Sequence, residues 1–181
     1  ELVRDMRASE EIQLDLGLIN LSEAVNTASL ILYHVFFEKN ITLDVQIPKD
    51  IEIYAENTSL INSVINNLLT NAVKFSFPDS KISVKAEKNV SGANLRIRDY
   101  GIGIPTDLLE NIFDINKNTN RRGTKGETGK GFGMPLVKKY VEAYGGDISI
   151  TSREKHVSPG DHGTEANLGF LVQIPDPQPD K

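Results

Sequence analysis

The sequence predicts an α+β fold, a two-layer sandwich in which helices cover one face of a mixed, mostly antiparallel sheet. Three observations predict it. Strand-like segments pair as hairpins instead of alternating regularly with helices, helix-like segments fall between them, and 39% hydrophobic residues in 181 suffice for one packed core.

Residues 1–17, "ELVRDMRASEEIQLDLG", carry only a loose helical pattern through Leu2 and Met6 and read as the end of an upstream element or linker. The domain proper is set at 18–175. Its first helix is expected from Ser22, as N-cap, to about Lys39, with Val25, Ala28, Leu32 and Val35 at three- and four-residue steps. "ITLDVQIP" alternates as a strand ended by Pro48, and "IEIY" is a short extended piece. A second helix starts near Asn57 or Thr58 and runs to Phe75 on Leu60, Ile61, Val64, Ile65, Leu68, Leu69 and Ala72. "KISVKAEKNV" and "NLRIRDYG" form a hairpin around Ser91, Gly92 and Ala93. A short helix at "TDLLENIF" precedes a polar stretch from about 115 to 128 without apolar period, read as a mobile loop. "FGMPLVKKYVEAYGG" is a helix closed by Gly145 and Gly146, and strands follow at "DISITS" and "ANLGFLVQIP". Residues 176–181 read as a tail.

Charge and composition exclude several functions. A net charge of −5 and a pI near 5.3 leave no basic footprint for nucleic acid or a membrane surface. Without cysteine there is no disulfide, thiolate metal site or cysteine nucleophile. The longest apolar run, "SLILYHVFF", is too short to span a bilayer, so a cytoplasmic location is expected. The first residue is Glu1 rather than Met, which suggests a segment of a longer protein whose other parts could carry a membrane anchor.

Chemistry gathers at three places. Asn67, Asn71 and Lys74 lie at i, i+4 and i+7 and share one helix stripe beside the apolar face. Amide oxygens suit Mg²⁺, which shares its shell with water and phosphates, and a lysine one turn on is a point charge for those phosphates. A polar stripe facing water is the plain alternative. Asn66 lies off the stripe and reads as a capping or hydrogen-bonding residue. "DYGIGIP" puts Asp99 at a strand end before Gly101 and Gly103, where a carboxylate could accept from an exocyclic amine such as that of adenine. "GKGFGM" places Gly129, Gly131 and Gly133 before a helix, whose free N–H groups could face phosphate. Neither cluster is a P-loop or a Rossmann fingerprint.

In order, N-x-x-x-N-A-x-K-F, D-x-G-x-G-I-P, the "ENIF" helix, G-x-G-x-G-M and "HGT" resemble the N, G1, F, G2 and G3 boxes of one family. That family is the ATP-binding catalytic domains of bacterial sensor histidine kinases, within the gyrase, Hsp90, histidine kinase and MutL superfamily. The resemblance covers about residues 18–175 and implies a Bergerat ATP-binding fold with a flexible ATP lid at about 115–128. It also implies that Asn71 is the Mg²⁺ ligand, Asn67 faces the phosphates, Lys74 contacts them and Phe75 borders the nucleotide. Asp99 would read adenine, with Gly101, Gly103 and Ile104 shaping the base pocket and Thr164 supporting Asp99 and its water. Gly129, Lys130, Gly131, Phe132, Gly133 and Met134 would line the phosphate side, and Arg121 and Arg122 are lid candidates for the γ-phosphate.

Two departures stand out. Lys130 occupies a position where the family usually has Thr, Ser or His, and Glu56 replaces an aspartate before the N-box helix. None of His34, His156 and His162 sits in a phosphoacceptor motif, so the implied acceptor histidine belongs to a dimerisation domain outside 1–181. The resemblance thus implies a monomeric domain of a homodimeric, two-component kinase that binds ATP and Mg²⁺ and signals to a response regulator. A degenerate nucleotide-binding module and a gyrase- or Hsp90-like ATPase are the alternatives; the latter generally carries a glutamate where Asn67 stands.

Overall fold

The computed structural model describes residues 14–117, 119–127 and 133–172. Five strands form the main sheet in the order β2–β4–β5–β7–β6: β2 (Thr42–Gln46), β4 (Lys81–Lys88), β5 (Gly92–Asp99), β6 (Asp147–Arg153) and β7 (Gly163–Leu171). Only β2 and β4 are parallel, and all other neighbours run antiparallel. A separate two-stranded sheet joins β1 (Gly17–Asn20) to β3 (Glu52–Ala55). Leu14 and Leu16, which the sequence reading set before the domain, pack against its core.

Alternation along the strands divides the sheet into two faces. Val45, Val84, Ile97, Ala166 and Ile150 are consecutive cross-strand partners, so one apolar row crosses all five strands. Helices cover that side. Lys85, Arg96 and Asn167 form a polar row on the other. Asp99 lies two residues beyond Ile97, on the helix-facing side, and pairs with buried Ile82. The register therefore drives a carboxylate into the seam between sheet and helices.

The first predicted helix is two. Helix α1 (Leu21–Ile31) is capped by Asn20, whose side chain accepts from Glu23 N at 3.0 Å, not by Ser22. It stops at Leu32, and α2 (Tyr33–Glu38) continues after that residue. The apolar spacing passes through the break unaltered, so periodicity could not reveal it. Helix α3 comprises Asn57–Ser59, a π-helical turn Leu60–Ile65, and Asn66–Phe75. Glu56 caps it by accepting from Thr58 N and Ser59 N, and the Ser59 hydroxyl, which donates to Oε2 at 2.6 Å, leads these bonds in lowering its carboxyl to a pKa of about 2. Short α4 (Thr106–Leu109) follows β5, and α5 (Gly133–Ala143) ends before Gly145, whose φ of +77° closes the helix. Val137 and Val141 of α5 and Leu68 and Leu69 of α3 belong to one buried cluster with Leu95 and Phe170 of the sheet.

Candidate functional site

The polar stripe of α3 faces the start of α5. In the π-helical turn Asn66 N–H reaches back to Ile61 O, and from the next residue Asn67 Nδ2 donates to Ser63 O, one turn back, at 2.7 Å. That bond fixes the amide's orientation and turns Asn67 Oδ1 toward Gly133: a Cβ built on Gly133 would lie 2.9 Å from it. Asn71 Nδ2 lies 3.5 Å from Met134 Sδ, which leaves its carbonyl oxygen without a hydrogen bond among the described residues. Asn66 turns off the stripe, and its Oδ1 is buried without a partner among the described residues, so the expected hydrogen-bonding role is absent. The structure gives no reason for it.

Gly133→Ala should test how closely the two helices must meet. The added methyl would meet the end of a side chain, which can yield, so the melting temperature should hardly change. Moving Asn67 should nonetheless weaken nucleotide binding about tenfold, because a positioned group loses its effect within an ångström. Titration beside thermal melting of the same variant checks both.

Lys74 and Arg121 converge on Phe75, with Lys74 Nζ 4.9 Å and Arg121 Cζ 4.5 Å from the ring centroid. Burial first, and then the nearby Arg121 charge, pull the Lys74 pKa down, with Glu127 opposing. Burial likewise lowers Arg121, against the pull of Glu154 and Asp99. Two crowded cations form a place that an anion would relieve.

Asp99 is 5% exposed. Its Oδ1 accepts from Gly101 N at 2.8 Å and Thr164 N at 3.2 Å, while Oδ2 accepts nothing among the described residues. Burial raises its pKa to about 6, although these two bonds and the charges of Arg98 and Arg121 work in the opposite direction. Gly101 is dictated by contact: a Cβ there would run into the backbone of Phe75, whose carbonyl accepts from Ile102 N at 3.1 Å. The G1 turn is thereby stapled to the end of α3.

The Thr164 hydroxyl does not reach Asp99 directly. It lies 2.9 Å from Ser152 Oγ, which donates to Gly163 O at 2.9 Å and accepts from Ile104 N at 2.8 Å. Since Ser152 has one proton, Thr164 donates to it, and Thr164 supports Asp99 through its backbone N–H. Ser152 on β6 thus holds the Ile104 turn and the start of β7 together, a role invisible in a strand read only for its alternation. His162 is a second residue whose part the motifs do not reveal; its Nδ1 lies 2.7 Å from Gly101 O and its ring meets Phe77 edge-on.

The polar loop differs most from expectation. Residues 121–127, which fall in the stretch expected to be mobile, are tied down: Thr124 N donates to Lys74 O at 3.1 Å and its hydroxyl to Ser76 O at 2.6 Å. These are polar anchors, so no apolar period announces them. Arg121, the lid candidate for the γ-phosphate, donates from Nη1 to Gly103 O at 2.8 Å. Arg122 is exposed. Gly129, Lys130, Gly131 and Phe132 lie outside the described residues. The described part of the site thus joins Asn67, Asn71, Lys74 and Phe75 of α3, Asp99 at the end of β5 with the turn to Ile104, Gly133 and Met134 of α5, and Thr164 of β7.

Comparison with known proteins gives a consistent result. The sensor protein KdpD of Clostridium acetobutylicum is 34% identical over 145 residues, 79% of this chain and 15% of KdpD. The adaptive-response sensory kinase SasA of Synechocystis is 35% identical over 124 residues, 68% of this chain and 32% of SasA. The chain therefore spans under a third of either relative. Among solved structures, the catalytic domain of histidine kinase ThkA superposes with a TM-score of 0.72 at 19% identity, covering 88% of this chain and 98% of that one. A second structure holds ThkA in complex with response regulator protein TrrA, with a TM-score of 0.72 at 18% identity, covering 95% of this chain and 46% of that one. Residues 56–177 match the family model described as histidine kinase-, DNA gyrase B-, and HSP90-like ATPase, and the chain belongs to that family of ATP-binding domains.

Proposed function

We propose that this chain is the catalytic domain of a two-component sensor histidine kinase, which binds Mg-ATP and passes the γ-phosphate to a histidine on a dimerisation domain of the same protein. The observation that carries the reading is Asp99: a buried carboxylate with one oxygen locked by two backbone N–H groups and the other open. An adenine amine would complete it. A guanine, which presents a carbonyl at that position, would set oxygen against oxygen.

The rest of the site suits a triphosphate. Lys74 supplies a charge that burial makes costly, so an anion beside it would be stabilising. The Asn67 amide, held by Ser63 O, presents its oxygen rather than a base toward the start of α5. The open carbonyl of Asn71 is the hard neutral donor that fits Mg²⁺, which when bound would neutralise charge on the phosphoryl oxygens. Phosphoryl transfer asks mainly for such positioning and charge stabilisation. Hydrolysis of the gyrase or Hsp90 kind is the second reading; it is disfavoured because Asn67 cannot activate water as a carboxylate would.

The acceptor histidine, its acidic base and the response regulator would lie on other domains, as the relatives' greater lengths allow. No helix among the described residues is long and apolar enough to cross a membrane.

Calorimetric titration of the chain with a non-hydrolysable ATP analogue, with and without Mg²⁺ and beside GTP, is the direct test. Saturable binding that prefers adenine and strengthens with Mg²⁺ is expected. Equal affinity for GTP would overturn the base-reading role of Asp99, and no binding by folded protein would point to a degenerate signalling module.

A further inference from the structure

Lys39, which follows α2, is 3% exposed. A buried ammonium is destabilising by several kcal/mol unless its charge is paired and its donors are filled. Here three acceptors meet three N–H groups: Val73 O at 2.8 Å, Lys74 O at 2.9 Å and Glu127 Oε1 at 2.7 Å. The two carbonyls belong to the last turn of α3, the negative end of the helix that carries Asn67, Asn71 and Lys74. The carboxylate belongs to the segment that follows Arg121.

Glu127 in turn organises that segment. Its Oε2 accepts from Lys125 N at 2.7 Å and its backbone oxygen from Gly123 N at 2.8 Å, which closes a tight loop. Thr124 N then reaches Lys74 O at 3.1 Å, the same carbonyl that Lys39 holds. Gly123 permits the approach, since a Cβ there would press on Lys74 O at 2.6 Å. Lys125 Nζ adds a tie to Glu38 O at 3.1 Å. Burial pushes the Glu127 carboxyl up, but the hydrogen bonds from Lys39 and the Lys125 amide, with the Lys39 charge, outweigh it and hold it below the ordinary carboxylate range.

We propose that Lys39 is a positioning residue of the nucleotide site: it clamps segment 121–127 to the end of α3 and so sets where Lys74 and Arg121 stand. The inference rests on the nucleotide-site reading above. Lys39 touches none of the stripe's side chains; it acts through the backbone carbonyls of Val73 and Lys74 and the Glu127 carboxylate.

The test compares Glu127→Gln, Lys39→Met and the double variant Lys39→Met/Glu127→Met with the unmodified 181-residue chain. Glu127→Gln keeps an acceptor and removes the charge, so it remains informative should Lys39→Met alone fail to fold. Hydrogen exchange at the Thr124 amide should speed up by about tenfold or more, the worth of one charge-assisted bond, while amides of β5 keep their protection. Affinity for the ATP analogue should fall by about the same factor. The double variant, which leaves no unpaired buried charge, should regain melting temperature but neither protection nor affinity. Recovery of all three would make the pair merely structural, and unchanged Thr124 exchange and affinity in Glu127→Gln would equally overturn the proposal. If the unmodified chain binds no nucleotide, the proposed function fails first, and unaltered Thr124 exchange in the variants would then refute the clamp on its own.

Discussion

Asp99→Asn is expected to yield a chain that is more stable at neutral pH and nearly blind to adenine. Burial raises the carboxyl from its ordinary 3.8 to about 6 in the folded chain, so between those values the folded state keeps a proton the unfolded state has lost. The stability linked to this group is therefore full below the unfolded value and is lost as pH rises through about 6. Above that, the ionised carboxylate is a burden on the order of 3 kcal/mol, which asparagine does not carry. Its amide oxygen can still accept from Gly101 N and Thr164 N, but an NH₂ then stands where the adenine amine needs an acceptor. ATP affinity should fall about 100-fold, whereas pyrophosphate binding should hold. Urea unfolding at pH 4 and 7.5, with titrations of ATP and pyrophosphate, separates the effects. A stability gain equal at both pH values would contradict the buried-charge account, and equal losses for the two ligands would contradict base reading. In the unmodified chain the same ionisation predicts that ATP affinity declines as pH drops below about 6.

Asn71→Ala should have the second large effect, confined to the metal-dependent part of binding. Alanine is the better helix former and Asn71 is only half-buried, so α3 should survive. The variant lacks the open carbonyl opposite Met134. Binding of ATP without Mg²⁺ should be nearly unaltered, while the extra affinity that Mg²⁺ confers should shrink by about 10–100-fold, as when a metal site loses a supporting group. The readout is the ratio of affinities with and without the metal; an unchanged ratio would remove Asn71 from the metal's shell.

Much of this architecture is legible in the sequence because period and punctuation agree. The hairpin of β4 and β5 alternates cleanly, and α3 keeps its apolar spacing although a π-helical turn interrupts it. What the sequence hides depends on partners far along the chain. Lys39 reads as an ordinary lysine at a helix end, yet it caps the end of a different helix 34 residues away. Ser152 looks like a polar strand residue until the register sets it opposite Thr164. Arg121 sits in a loop, and a loop's sequence does not say which carbonyl its guanidinium will find. The N-cap falls at Asn20, two residues before the expected Ser22, because both are equally good by residue type and only the bond to Glu23 N decides between them.

The tie between Glu127 and Lys39 also bears on how this domain can diversify. Closing a flexible loop costs only about 0.6 kcal/mol more for each doubling of its length. With 121–127 fastened to the end of α3, residues inserted between α4 and Arg121 would lengthen only the stretch ahead of the fastening and leave Arg121 near Gly103. An insertion between Arg121 and Glu127 would instead strain the Gly123–Glu127 loop itself. The domain thus holds one segment to a fixed span, and added length is better accommodated ahead of that segment than within it.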